Sequence, residues 1–199
     1  MSLLVGLTGG MGSGKSLAAK FFSEQGAHII DADQISRDLV RPGQPALNEI
    51  VITFGDSILG SDGNLNREKL AKVIFEDSEK KSKLEAILHP KVIVKEQEEY
   101  LNICASNPSA IVIIDAALLI ESGNYKNVDK VIVVQSGEDQ QIQRIISRGT
   151  QNYEQAIARI KNQMSFEEKS RYADYILDNQ SRPEDLKKNV KELYAKLLQ

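Results

Sequence analysis

The sequence predicts an α/β fold, a three-layer arrangement in which helices flank a five-stranded parallel sheet. Two observations support this prediction. Five apolar runs are continuous rather than alternating, as in strands that are buried on both faces, and helical patterns separate them along the chain. The runs cover residues 3–7, 27–30, 111–114 and 131–134, with a weaker fifth run at 175–177.

A glycine-rich loop follows the first of these runs. Residues 9–16 read Gly-Gly-Met-Gly-Ser-Gly-Lys-Ser, which is the pattern G-x-x-x-x-G-K-[ST] between a strand and a helix. Lys15 can reach the β- and γ-phosphates of a nucleotide, and the Ser16 hydroxyl can bind Mg²⁺. A turn that matches by chance is the alternative, but the flanking strand and helix disfavour it. The backbone expected to hold the triphosphate is that of Gly10, Met11, Gly12, Ser13, Gly14, Lys15, Ser16 and Leu17.

Length and composition describe an ordinary globular domain. The chain has 199 residues, of which 41% are hydrophobic and 27% charged, enough for a sizeable core. Its net charge of −3 argues against a dedicated nucleic-acid-binding protein. No apolar run has the length of a membrane helix, the first residues lack a signal-peptide pattern, and the lone Cys104 excludes an intramolecular disulfide. We therefore expect a cytoplasmic protein with neither a nucleic-acid nor a membrane partner.

A long segment separates the second and third predicted strands, too long for one crossover helix. Asn66 is a plausible N-cap for a helix over residues 67–75, and further helices are predicted at 82–88 and 91–103, with Pro90 opening the last. In a phosphotransferase, this insertion is the natural place to bind the acceptor. The expected organisation is one domain with a core at about 1–40, 108–137 and 166–199, a helical acceptor-binding insertion at about 41–107 and a helical lid at about 138–165.

The predicted lid consists of two helical segments on either side of residues 149–152. Arg144 and Arg148 are spaced i, i+4, so they share one helix face. A charged face of this kind is often simply solvated. In a chain with a phosphate loop, the same arginines can belong to a mobile hairpin that closes over the triphosphate. Beyond the lid, residues 183–198 form an amphipathic pattern that predicts a helix packed on the core.

Acidic residues follow two predicted strands, where open parallel sheets bind ligands. Asp31 and Asp33 follow the second strand, and one of them can be structural while the other faces the cleft. Asp33 comes just after the second strand and can accept or orient the proton of an acceptor hydroxyl. It can also cap the helix that follows, and the two roles are compatible. Asp115 ends the third strand, where a carboxylate can hold Mg²⁺ directly or through water. A strand-ending cap is the alternative for Asp115.

Motifs outside the phosphate loop carry a more specific signal. They lie in residues 6–10, 31–33, 62–67 with Leu70 and Phe75, 88–90, 115–121, 143–148, 159–163, 173–174 and 178–179. Several of them, above all Arg67 and the pair His89-Pro90, are not general features of phosphate-loop proteins. Together they resemble the dephospho-coenzyme A kinase family, over nearly the whole chain.

This resemblance implies a P-loop NTPase fold that transfers the ATP γ-phosphate to the ribose 3′-hydroxyl of dephospho-coenzyme A, with Mg²⁺. By resemblance, Asp33 would be the catalytic carboxylate near that hydroxyl, and Lys15 would stabilise the transferring phosphoryl group. Arg144 and Arg148 would close on ATP as catalytic lid residues. The other implied contacts are Asn179 at the adenine, Ser16 and Asp115 at Mg²⁺, and Arg67, His89 and Leu118 at the acceptor. A monomer or weak homo-oligomer acting on small molecules is expected.

Two segments depart from the family pattern. Ala116-Ala117 stands where the family usually has Val-Pro, which leaves that backbone less restricted, and Leu17 stands where Thr is frequent. Neither change removes a catalytic group.

Two other functions remain open on the sequence alone. One is a kinase for a different nucleoside or nucleotide acceptor, and the other is a nucleotide-dependent switch. A GTPase switch would carry an N-K-x-D motif, which this sequence lacks, and it would not need an arginine-bearing lid.

Overall fold

The computed structural model describes residues 2–75, 77–149 and 152–199. Within them, five strands form one sheet, and each strand coincides with one of the predicted apolar runs. The prediction of an α/β fold with a five-stranded parallel sheet is thereby confirmed. The strands are β1 (Leu3–Gly9), β2 (His28–Asp31), β3 (Ile111–Asp115), β4 (Lys130–Gln135) and β5 (Tyr175–Asp178).

The sheet has the strand order β2-β3-β1-β4-β5, and every neighbouring pair is parallel. This order puts β1 at the centre, with β3 and β4 on either side. The register pairs Leu7 with Asp115 and Gly9 with Val134, so these strands end at one rim. Ligands of open parallel sheets bind outside that rim, and here it carries both the phosphate loop and Asp115.

Helices connect the strands. They are α1 (Lys15–Glu24), α2 (Ala32–Leu39), α3 (Pro45–Phe54), α4 (Arg67–Phe75), α5 (Ser78–Ser106), α6 (Glu138–Ser147), α7 (Tyr153–Lys161), α8 (Phe166–Ser170) and α9 (Pro183–Leu197). Short 3-10 turns lie at Asp56–Ile58 and Asn124–Asn127. No helix among residues 2–75, 77–149 and 152–199 has the length and apolar character needed to cross a membrane.

The chain divides into two compact units. The first contains residues up to Asp31 together with Glu99–Gln199, and the second is Ala32–Glu98. In the first unit, α1 and α9 cover one face of the sheet, and Phe22 and Val190 are fully buried there. The predicted packing of the last helix on the core is therefore confirmed. The second unit has its own apolar cluster, formed by Val40, Ile50, Ile58 and Leu70 with half-buried neighbours.

The other face of the sheet is also covered, because Leu119 and Val128 pack against it. A Cβ on Gly6 of β1 would collide with the Leu119 side chain and lie 3.3 Å from Val128. Burial on both faces explains the continuous apolar runs of β1, β3 and β4, whereas the edge strands β2 and β5 are only partly buried.

Helix α5 contradicts the prediction of two separate helices at 82–88 and 91–103. It runs without a break from Ser78 to Ser106 with Pro90 inside. Proline removes one backbone N–H donor and crowds the preceding turn, at a substantial cost. Packing compensates in both units: Leu88 joins the apolar cluster of the second unit, and the Tyr100 hydroxyl lies 3.0 Å from the Ser2 hydroxyl in the first.

The two predicted lid helices are present as α6 and α7. Helix α7 begins with a capping box, in which the Asn152 side chain accepts from the Gln155 N–H and the Gln155 side chain accepts from the Asn152 N–H. Ile142, Ile145 and Ala156 form a small apolar cluster between these helices, against which Met11 packs. Thr150 and Gln151, inside the predicted turn, lie outside the described residues.

Candidate active site

The phosphate loop joins the end of β1 to the start of α1. Gly12 and Gly14 have φ values of 77° and 93°, a left-handed conformation that residues other than glycine rarely adopt. The Ser13 N–H donates to the Gly10 carbonyl at 3.0 Å, which closes the turn.

Several backbone donors of this loop remain available for a ligand. Within the described part of the chain, no acceptor is found for the N–H groups of Gly12, Gly14, Lys15 and Ser16. The last three lie at the N-terminus of α1, where the helix dipole also favours negative charge. The loop therefore has the geometry of a phosphate-binding site.

Lys15 and Asp115 meet beside this loop. The Lys15 ammonium donates to Asp115 Oδ1, and the two side chains are 12% and 9% exposed. Asp115 reaches this place because β3 lies next to β1, with Asp115 opposite Leu7. The pair thus places one positive and one negative group beside the phosphate loop.

Arg144 and Asn179 support the loop from the side of α6. The Arg144 guanidinium donates to the carbonyls of Gly12 at 3.2 Å, Ser13 at 3.3 Å and Asn179 at 3.0 Å. The Asn179 side-chain amide donates to the Ser13 carbonyl at 2.7 Å. A Cβ on Gly14 would collide with that amide, so Gly14 is required here for space as well as for its φ. The structure thus brings two predicted nucleotide-site residues onto the loop itself.

Two glutamines of the predicted lid region also contact the loop, a contact that sequence reasoning did not predict for either of them. The Gln163 side-chain oxygen accepts from the Met11 N–H at 2.8 Å. The backbone of Gln141 lies so close to Gly12 that a Cβ there would be 2.6 Å from the Gln141 carbonyl oxygen. Gln163 was among the residues of the family resemblance, but nothing in its spacing pointed to Met11.

Lys169 is a further residue that sequence reasoning missed. It lies in α8 and is only 1% exposed. Its ammonium donates to both carboxylate oxygens of Glu121, at 2.8 Å each, and to the Ala117 carbonyl at 3.1 Å. A lysine next to acidic residues in a short helix usually lies on a solvated surface, so the pattern carried no signal for burial.

The other lid and rim residues are more open. Arg148 forms the C-cap of α6 and its side chain is exposed. Leu118, predicted at the acceptor, is 40% exposed in the segment that follows β3.

Asp33 lies in the first turn of α2, in the second unit, and its side chain is exposed. The helix begins at Ala32, so Asp33 is inside it and is not the N-cap that the alternative interpretation required. Asp33 and Ser36 are spaced i, i+3 within α2, so they share one face of this helix.

Ser36 also lines a cavity of about 200 Å³ in the second unit. Arg67 and Ser36 supply polar groups to its wall, and His89 follows the lining residue Leu88 in α5. The apolar part of the lining is Val40, Leu65, Leu70, Ala71, Ile74, Leu84 and Leu88. An apolar cavity with a few polar groups is typical of small-molecule sites.

The donor groups at the rim suit Mg²⁺. Ser16 and Asp115 offer oxygen atoms, which this ion prefers. In the part of the chain that the structure describes, no group of three or more His, Cys, Asp or Glu side chains could hold a metal. Mg²⁺ does not need such a cage, because it commonly binds one or two protein oxygens together with water and substrate phosphates.

Known proteins resemble this chain over nearly its whole length. A family model described as dephospho-CoA kinase matches residues 3–185. A dephospho-CoA kinase from Aquifex aeolicus is 42% identical over 193 residues, which cover 97% of this chain and 96% of the relative.

Solved structures extend the likeness to the fold. A dephospho-CoA kinase from Campylobacter jejuni has a TM-score of 0.72 at 27% identity, covering 99% of this chain and 98% of that one. A protein from Thermus thermophilus has a TM-score of 0.81 at 28% identity, over 98% of each chain. The likeness in sequence and fold thus spans nearly the whole chain, both compact units included, and on this ground the chain belongs to the dephospho-CoA kinase family.

Proposed function

We propose that this protein transfers the γ-phosphoryl group of ATP to the ribose 3′-hydroxyl of dephospho-coenzyme A, giving coenzyme A and ADP. The choice of a nucleoside triphosphate as the phosphate donor rests on the phosphate loop, whose available N–H groups lie beside the Lys15–Asp115 pair. The choice of dephospho-coenzyme A as the acceptor rests on membership of the dephospho-CoA kinase family.

Charge neutralisation supplies most of the proposed catalysis. Phosphoryl transfer passes through a loose transition state with negative charge on the transferring oxygens. Lys15 holds its ammonium next to the loop and would follow that charge from the β- to the γ-phosphate. Mg²⁺, when bound, neutralises phosphate charge, and Ser16 and Asp115 are the residues that would hold it.

The arginines of α6 have two different proposed roles. Arg144 keeps the loop carbonyls turned away from the phosphates, because it binds those of Gly12 and Ser13. Arg148 is exposed at the end of the same helix and would contact the triphosphate only when the lid closes. Asn179, bound to the Ser13 carbonyl, would border the adenine while it supports the loop.

The acceptor is proposed to bind on the second unit. Asp33 would accept or orient the proton of the 3′-hydroxyl. The cavity lined by Ser36 and Arg67 would hold another part of the acceptor, and the diphosphate of the acceptor is a suitable partner for a guanidinium. His89 is proposed to contribute to this site in the second unit. Leu118, which belongs to the first unit, is proposed as a separate acceptor contact.

A coupled assay tests this proposal. ATP consumption should depend on dephospho-coenzyme A, and phosphorus NMR of the product should locate the new phosphate on the 3′-oxygen. A kinase for other acceptors would instead consume ATP with nucleoside monophosphates. A switch protein would bind nucleotide without an acceptor-dependent turnover. Either result would contradict the proposal.

We also propose that the enzyme is cytoplasmic and is a monomer or weak homo-oligomer. The free thiol of the half-buried Cys104 suits a reducing compartment. Sedimentation across a range of protein concentrations would detect any stable oligomer.

A further inference from the structure

A buried lysine lies outside the groups used for catalysis so far. Lys169 has three ammonium donors, and the structure uses all of them: two to Glu121 and one to the Ala117 carbonyl. The Lys169 side chain is 1% exposed and that of Glu121 21% exposed. Burying the charge of the lysine costs desolvation, and apolar residues of similar size often give at least the same stability. A role in fixing geometry is therefore the better explanation.

The acceptors of Lys169 belong to the segment that directly follows Asp115. That segment is held to β1 on its other side, where the Ala116 N–H donates to the Leu7 carbonyl at 3.0 Å. The Thr8 hydroxyl donates to the Ala117 carbonyl at 3.1 Å, so this carbonyl accepts from both β1 and α8. Only a few backbone torsions separate the Ala117 carbonyl from the Asp115 carboxylate.

We propose that Lys169 is a positioning residue for Asp115. It fixes the Ala117 carbonyl and hence the backbone that aims the Asp115 carboxylate at Lys15 and at the Mg²⁺ position. This inference rests on the proposed function, because it assigns Asp115 to the cation of the phosphate donor. Glu121 neutralises the buried ammonium and also accepts from the Met164 N–H at 3.3 Å.

The decisive variant replaces both charges, Lys169→Met with Glu121→Met. Removing one partner alone would leave a buried charge without compensation, whereas replacing both by apolar groups of similar shape can be nearly neutral for stability. The thermal midpoint should therefore stay near that of the parent protein. The Ala117 carbonyl nevertheless loses its donor from α8.

Two measurements then test whether the Asp115 carboxylate is still held in place, and neither depends on turnover. In the ligand-free protein, amide hydrogen exchange should be faster at residues 116–119. In calorimetric titrations with ATP, the Mg²⁺ concentration that gives half-maximal binding should rise about 10- to 100-fold, as is typical when a supporting partner of a metal ligand is lost. Unchanged exchange together with unchanged Mg²⁺ dependence overturns the proposal. A lowered thermal midpoint with unchanged Mg²⁺ dependence also overturns it, since the pair would then be purely structural.

Lys130→Met is the matched control. Lys130 forms an ion pair with Asp174 at 3.1 Å at the other end of the neighbouring strand β4, and both side chains are partly exposed. Its loss should change neither the exchange of residues 116–119 nor the Mg²⁺ dependence. If the Mg²⁺ concentration for half-maximal ATP binding rises equally in the Lys130→Met control, Lys169 has no specific role.

Proline at position 117 provides a rescue. Among the described residues, the Ala117 N–H has no acceptor and Ala117 does not have a positive φ, so Ala117→Pro should cost no hydrogen bond and should restrict the backbone. Added to the double variant, it should slow exchange and lower the Mg²⁺ requirement again. If exchange slows but the Mg²⁺ requirement stays high, the backbone at residue 117 does not position the Asp115 carboxylate, and the proposal is wrong. If the unmodified enzyme does not phosphorylate dephospho-coenzyme A, the proposed function is wrong. Hydrogen exchange and the Mg²⁺ dependence of ATP binding would still test the role of Lys169.

Discussion

Lys15 is the residue on which the donor site depends most. Because its ammonium is held beside the loop by Asp115, Lys15→Ala should reduce turnover about 10²- to 10³-fold, as is usual when one electrostatic donor is removed. Far-ultraviolet circular dichroism should show an intact fold. Lys20→Ala, on the exposed face of the same helix, is the control and should retain activity. Parent-like turnover in the Lys15 variant would refute the mechanism.

Arg144 and Arg148 should behave differently although they share a helix. Arg144→Ala removes three hydrogen bonds to backbone carbonyls of the loop and Asn179, so it should lower the free energy of unfolding by about 1.5–3 kcal/mol and raise the KM for ATP. Arg148→Ala removes an exposed side chain and should lower kcat without a change in thermal midpoint. Kinetics and thermal unfolding of both variants distinguish these outcomes, and a stable Arg144→Ala variant with parent-like KM would contradict the loop-support role.

Asp33 provides the corresponding test on the acceptor side. Asp33→Asn keeps the side-chain shape but removes the base, so turnover should fall about 10²- to 10⁴-fold while calorimetry still detects ATP binding. Asp38→Asn is the control, since Asp38 lies further along α2 and pairs with Arg41 at the surface. Lost ATP affinity with normal turnover at saturation would make Asp33 a nucleotide-site residue instead.

Sequence alone predicted residues whose role follows from local spacing. Gly12, Gly14 and Lys15 are identified by one short motif because their function depends on consecutive backbone torsions. Lys169 and Gln163 were not identified, since their partners Glu121 and Met11 are far away in the chain. These pairs form only when the tertiary fold brings α8 to the segment after β3 and brings the segment after α7 to the phosphate loop.

At the scale of elements, the cap of α4 can be tested by itself. The Asn66 side chain accepts from the Lys69 N–H at 3.0 Å, as the sequence predicted. Asn66→Ala should lower the free energy of unfolding by about 1 kcal/mol, measured by urea denaturation. Asn66→Asp should retain the cap, and Asn48→Ala, at an exposed position within α3, should cause no loss. An Asn66→Ala variant as stable as the parent would contradict the capping role.

Strands were predicted better than helix boundaries. Each apolar run forms a strand with nearly the expected limits. The signal is strongest for the central strands β1, β3 and β4, because burial on both faces requires apolar residues throughout. The predicted break at Pro90 was wrong, since local helix preference was overridden by packing on both sides of the proline. Helix α5 contributes to both compact units. Its contacts in the two units can offset the cost of Pro90, and these contacts are not visible in the local sequence.

At the scale of the whole molecule, nucleotide binding should appear as added stability. Ligand bound only to the folded state stabilises it by about 2.7 kcal/mol at one hundred times the dissociation constant. ATP with Mg²⁺ should therefore raise the thermal midpoint, and excess chelator should remove most of this increase without lowering the midpoint of the ligand-free protein. A chelator effect on the ligand-free protein would point to a structural metal instead.

The sequence by itself determined the strands, the phosphate loop and the family, because these depend on local periodicity and on residues close together in the chain. Only the tertiary structure decided how the loop is supported. The strand order β2-β3-β1-β4-β5 puts Asp115 beside Lys15, and the packing of α6 and α8 brings Arg144 to the loop and Lys169 to the Ala117 carbonyl. Contacts between residues so distant in the chain follow from the packing of whole elements, and no local pattern encodes them.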